Sequence, residues 1–197
     1  VRDYTISLKC TDPYFKDLTD IEVVMASWVS DFFFPAEFPE DGVIFGHREA
    51  ELVKEIDNDS GADNIGITVI FKADGFVGNP AIYHAESGKF TRVGYDGNEF
   101  VLQPGQYVVI STHTGKKDIF LIDHATQEEV EEVRDKYGMI DWERVVERYG
   151  QKINEYQDED GDFIQLQDGK NTLTYSADTG VEYLSVSVYY RISYLGV

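Results

Sequence analysis

Gln106-Tyr107-Val108-Val109-Ile110-Ser111, Thr114-Gly115-Lys116 and Lys117-Asp118-Ile119-Phe120-Leu121-Ile122 read as two short apolar runs separated by a glycine-bearing turn. That is the pattern of a β-hairpin. The same pattern continues in both directions. Upstream, Pro104-Gly105 is a turn signal, because Pro fixes φ and Gly tolerates φ > 0. Before it come a strand over Glu99–Leu102 and a hairpin in which Pro80–Tyr83 and Lys89–Val93 flank Glu86-Ser87-Gly88. Further upstream lie a strong strand over Ile65–Lys72, a polar loop over residues 57–64, and a strand marked by Leu52, Val53 and Ile56.

Downstream, strands are expected at Asp162–Gln167, at Thr172–Tyr175 and over Tyr183–Tyr190. Turns at Asp168-Gly169-Lys170-Asn171 and Asp178-Thr179-Gly180 separate them. Along the last strand Leu184, Val186, Val188 and Tyr190 share one face, and Tyr183, Ser185, Ser187 and Tyr189 the other, as a period of two requires. At the start of the chain, Asp3–Cys10 alternate apolar and polar until Thr11-Asp12-Pro13, and residues 28–46, with Pro35, Pro39, Gly42 and Gly46, read as a long packed connection. Short strands joined by glycine-bearing turns predict an all-β sandwich or jelly roll, with residues 1–197 forming one domain.

One segment breaks the pattern. Thr126 followed by Glu129 fits a capping box, in which each side chain serves a free backbone N–H. Val130, Val133 and Tyr137 then recur at helical spacing, and Gly138 is expected to stop that helix. Asp141 is placed to cap a second helix whose Trp142, Val145, Val146 and Tyr149 face inward, with Gly150 at its end. This predicts a helical insertion over about 126–150 within an acidic stretch, 123–162, holding 14 acidic and 5 basic residues.

The 197 residues carry a formal charge of −20. Such a surface repels phosphates, so nucleic acid and anionic membrane surfaces are not expected partners. The hydrophobic share of 42% is enough for a sizeable core, and 13 Tyr and 12 Phe favour half-buried sheet surfaces. The single cysteine, Cys10, allows no intramolecular disulfide. No run approaches the ~18 apolar residues of a membrane helix. The first residue is Val rather than Met, which reads as a start inside a longer protein.

No catalytic, cofactor-binding or metal-binding set stands out. The histidines His47, His84, His113 and His124 make no H-x-x-x-H or H-E-x-x-H arrangement. His113 and His124 flank the predicted hairpin, where an approach between them would be the one metal candidate, against a reading as solvated loop residues. Asp158-Glu159-Asp160-Gly161-Asp162 resembles the start of a calcium loop, but its twelfth position is Gly169 rather than a bidentate Glu; the plain reading is an exposed acidic turn. G-x-S-x-G, P-loop and G-x-G-x-x-G motifs are absent, and no enzyme is expected. Trp28, Trp142 and the tyrosines could stack on sugars, though the spacing of Trp142 with Val145, Val146 and Tyr149 favours packing.

The C-terminal third resembles the C-terminal domain of siphophage distal-tail proteins. The resemblance is carried by Phe163-Ile164-Gln165-Leu166, Asp168-Gly169-Lys170-Asn171, Thr174-Tyr175-Ser176-Ala177-Asp178 and the ending Val188 to Val197. Two further stretches are similar to that family: Leu8–Phe15, like the junction after its ring-forming N-terminal domain, and the hairpin from Pro104 to Lys117. The resemblance implies a galectin-like sandwich in a virion tail component, made in the bacterial host cytoplasm. Its implied partners are the tail tube and the tail-tip or receptor-binding proteins, with self-association into a ring through a missing N-terminal domain. Residues 123–160 depart from the family pattern, where a short hairpin is usual. The alternative from a different class is a carbohydrate-binding module on the same architecture, since fold does not decide function.

Overall fold

The computed structural model describes residues 14–30, 46–50 and 53–195. Strands make up 50% of it and helices 13%, so the chain is an all-β sandwich with a short helical insertion. In chain order the strands are β1 (Tyr14–Lys16), β2 (Ile21–Ser30), β3 (Gly46–Ala50), β4 (Val53–Asn58), β5 (Ile65–Ala73), β6 (Val77–Gly78), β7 (Ala81–His84) and β8 (Lys89–Arg92). They continue with β9 (Val101–Leu102), β10 (Tyr107–His113), β11 (Lys116–Ile122), β12 (Gln151–Lys152), β13 (Gln165–Leu166), β14 (Gly169–Ser176), β15 (Leu184–Tyr190) and β16 (Ser193–Leu195). The helices are α1 (Gln127–Glu132) and α2 (Trp142–Tyr149).

The larger sheet runs β12-β11-β10-β5-β15-β2-β3, with β13 also pairing β5. The smaller runs β4-β14-β7-β8, and two ribbons, β1-β16 and β6-β9, stand beside them. The opening hairpin is there, with Tyr107 opposite Ile122 and His113 opposite Lys116. Its β10 strand continues antiparallel onto β5, Ile110 facing Val69. Where that ladder ends, the Thr112 hydroxyl replaces a backbone partner: its Oγ1 accepts from Ile67 N at 2.8 Å and donates to Ile67 O at 3.1 Å.

Period-two alternation sorts these strands into two cores. Ile65, Ile67, Val69 and Phe71 of β5 and Leu184, Val186, Val188 and Tyr190 of β15 meet Ile56, Ile82, Leu173 and Tyr175 of the smaller sheet. The opposite face of the larger sheet presents Ile70, Tyr107, Val109 and Tyr189, and the helical segment covers it with Val130, Val133 and Val145. Trp142 lies 6.0 Å, centroid to centroid, from both Tyr107 and Tyr189. The result is three layers: small sheet, large sheet, helices.

Several expectations need adjustment. The first helix is capped as expected, with Thr126 and Glu129 forming a complete capping box. It stops at Glu132, however, and not near Gly138. Val133 leaves helical geometry as soon as it is buried, and Tyr137 is exposed. The chain then folds back so that Arg134 pairs with Ile140 across a turn in which Gly138 has φ 86°. The second helix matches, with the Asp141 side chain accepting from Arg144 N and Gly150 at the C-cap. The connection expected over 28–46 is cut at both ends, because residues 28–30 close β2 and Gly46 opens β3. Residues 31–45 and the strand read at Asp3–Cys10, with Cys10 itself, lie outside the described residues. The strand expected over 162–167 shrinks to Gln165–Leu166. Residues before it seal the free edge of β8 instead: Asp158 N and Asp162 N donate to Arg92 O and Phe90 O at 3.1 and 2.7 Å. Lys170 and Asn171 belong to β14 rather than to a turn.

Candidate binding surfaces

The residues singled out for chemistry fall far apart. His113 closes β10 at the turn of the hairpin, whereas His124 follows β11 at the opposite end. Seven strand residues at ~3.4 Å each separate those ends by roughly 20 Å, so the pair forms no metal site. His113 is packed in, its Nε2 3.2 Å from Thr68 Oγ1. Burial, with Lys16, Arg191 and Lys116 nearby, holds its ring below the ordinary 6.5, against a smaller opposing pull from Asp20. His124 is exposed beside Asp123. The side chains of His47 and Trp28 lie outside the described residues. Trp142 is part of the second core, as its spacing predicted. The acidic turn is engaged in structure: Asp158 Oδ1 accepts from Asp160 N at 3.0 Å and Asp162 binds Lys89 Nζ at 2.5 Å. Among the described residues, no group of three or more His, Cys, Asp or Glu side chains is arranged to hold a metal ion. No helix among them is long and apolar enough to cross a membrane.

His84 joins a polar network that sequence reading missed. Its Nδ1 is 2.7 Å from Ser87 Oγ and its Nε2 3.0 Å from Asn171 Oδ1, with Glu86 Oε2 at 3.2 Å. Glu86 in turn accepts from Thr172 N and Oγ1 at 2.7 and 2.6 Å. A serine, a histidine and a glutamate in contact invite comparison with a catalytic triad. Here the ring is buried with both nitrogens engaged, and Ser87 Oγ also meets Lys89 N at 3.3 Å inside its own turn. The network stitches the β7–β8 hairpin to β14. Its hub is Asn171, whose Nδ2 donates to Gly169 O and Gln167 O at 2.8 and 3.0 Å while its Oδ1 accepts from Gln167 N at 2.7 Å. The one sequence signal for it was the Gly169-x-Asn171 spacing.

Two surface features stand out among the described residues. On the β1-β16 ribbon, Phe15 stands opposite Tyr194, and both point outward, 71% and 45% exposed. Leu18, also 71% exposed, follows β1. The second surface is an open cleft of about 440 Å³. Lys16, Asp17 and Leu18 form one wall, the loop residues Asp135, Lys136 and Tyr137 another, and Arg144 of α2 with Arg191 after β15 complete it. Arg191 is fixed by a two-pronged pair with Asp20, Nε at 2.8 Å and Nη2 at 3.0 Å, and Arg144 Nε lies 3.3 Å from Asp141. Lys136 Nζ sits 4.8 Å from the centre of the Tyr137 ring, within cation–π range.

Comparisons with protein-family models, with curated proteins and with solved structures find no match to this chain.

Proposed function

We propose that this chain is a non-catalytic structural module of a phage or prophage tail, the galectin-like sandwich of a distal-tail-like hub subunit that anchors neighbouring tail proteins. It acts in the virion tail, by presenting surfaces rather than by making or breaking bonds. The observation that carries this reading is the exposed apolar pair Phe15 and Tyr194, opposite each other on the β1-β16 ribbon. It sits beside the stretch that resembles the family's junction with its ring-forming domain. Clustered exposed apolar side chains mark interaction sites, and burying a Phe or Leu against a partner yields about 1.5–3 kcal/mol. The resembling words at Gly169-x-Asn171 support the same assignment.

The test is the assembly state of the full-length parent protein, by light scattering and negative-stain imaging. A closed ring with these sandwiches at its rim is the expected result, and a lasting monomer overturns it. The second reading, a carbohydrate-binding module, is favoured by one observation: the open cleft brings cations, carboxylates and the exposed Tyr137 ring together.

A further inference from the structure

We infer that the cleft between the segment after β1 and helix α2 binds a small sugar acid, a pyranose carrying one carboxylate. This deepens the carbohydrate reading and is independent of the assembly reading.

Three features of the cleft select that chemistry. The first is its cations. The chain carries −20 overall, yet Lys136, Arg144 and Arg191 face one space of about 440 Å³. Guanidinium groups recognise carboxylates by directional paired donors. Arg191 is held rigid by Asp20 through Nε and Nη2, and Arg144 is approached by Asp141 at Nε, which leaves terminal guanidinium N–H groups outside those pairs.

The second is the presence of carboxylates in the same walls. Asp17 and Asp135 are acceptors, and Asp135 uses Oδ1 for Tyr137 N and Met139 N at 2.8 and 3.0 Å, with Oδ2 outside those bonds. A ligand that serves them must bring donors. The hydroxyls of a sugar do so, while a plain organic acid brings none. An acidic peptide brings further negative charge toward these aspartates and toward a −20 molecule, so it is disfavoured.

The third is the apolar lining. Tyr137 and Leu18 are exposed, and the ammonium of Lys136 covers one side of the Tyr137 ring. The exposed part of a tyrosine ring lining the cleft offers the kind of aromatic surface on which the C–H face of a pyranose stacks.

The experiment is a calorimetric and NMR titration of the whole chain with sodium glucuronate at low ionic strength. Glucose, acetate, β-alanine and a hexaglutamate peptide are titrated in parallel. Glucuronate is expected to bind and to shift resonances of Tyr137 and Leu18. Arg144→Gln, which removes a charge-assisted bond, is expected to weaken it about tenfold, and Asp17→Asn is expected to weaken it without abolishing it. Because Arg144 is exposed, its variant should unfold at the wild-type urea midpoint; Lys136→Gln provides a second check if it does not. Absence of glucuronate binding overturns the inference. So does equal binding of acetate or β-alanine, which means an adventitious ion only, and so does tighter binding of hexaglutamate, which makes the cleft a peptide dock. Binding of neutral sugars alone, insensitive to Arg144→Gln, overturns the cleft while leaving the carbohydrate reading standing elsewhere on the molecule.

Discussion

Asn171 shows how one side chain can hold two strands and a loop together. Its amide bridges Gly169, Gln167 and His84 from a fully buried position. Removing it strands several polar groups, each costing about 1–3 kcal/mol when left buried and unpaired. Asn171→Ala is therefore expected to lower stability by about 3 kcal/mol or more, read as a fall in the urea midpoint. The sequence placed Asn171 in a turn because Asp-Gly-Lys-Asn is turn-like. The backbone ladder to β4, where Asn171 stands opposite Ile56, is what draws it into the strand, and no local pattern reports such a long-range partner. His113 makes a second prediction. Burial and nearby cations depress its proton affinity in the fold. As pH falls below the ordinary 6.5 toward the lowered value, the unfolded chain takes up a proton that the fold resists, so stability declines across that window. Above 6.5 the contribution is complete. Urea midpoints measured from pH 8 down to pH 5 should show this decline, and His113→Gln should flatten it.

The helical segment acts as a roof over the second face of the large sheet. Its boundaries were readable where a cap announced them: Thr126, Asp141 and Gly150 all hold their expected positions. Its early end at Glu132 was not, because the Val130, Val133, Tyr137 spacing mimics a longer helix while the chain turns to deliver Val133 and Met139 to the same core. Val145 is fully buried against that core. Val145→Asp places an unpaired carboxylate there and is expected to detach the roof, raising fluorescence of a hydrophobic dye such as ANS while the hairpin core of β5, β10 and β15 keeps its slow amide exchange. A deletion meant to remove only the roof should end at Gly150. Beyond it Lys152 pairs with Phe120, Ile153 N donates to Ile119 O at 2.9 Å, and Ile153 joins the main core. The edge-sealing run from Asp158 to Asp162 belongs to the sandwich for the same reason.

On the scale of the whole molecule, the sandwich was legible because each long strand writes its two faces into alternate residues. The strand expected over Tyr183–Tyr190 is the clearest case: Leu184, Val186, Val188 and Tyr190 are buried between the sheets and Tyr189 beneath the helices, while Tyr183 is exposed at the end of a 3-10 turn before β15. Strand β2 was missed even though it lies beside β15. Its Val-Val-Met-Ala run lacks strict alternation because the pairing shifts register beside Val186 and Ser187. The cleft was not legible at all. Its walls come from residues 16–18, 135–137, 144 and 191, joined only by the tertiary fold. If the exposed pair is a contact surface, replacing Phe15 and Tyr194 together by Ser should leave the unfolding midpoint of this chain nearly unchanged, while the parent protein loses its assembled form in light scattering.

The pairing of β1 with β16 also fixes how the molecule responds to load. Tyr14 lies opposite Leu195, and the next strands inward repeat the arrangement, with Ile21 opposite Tyr190. A pull applied at Tyr14 and Leu195 therefore acts across the ladder at its open end and parts one pair at a time, as a zipper does, instead of shearing many bonds together. In a single-molecule stretching experiment the fold should yield at low force, beginning at the ribbon and travelling into β2 and β15. A tether attached instead at Lys89 and Lys152, on the far edges of the two sheets, should meet greater resistance.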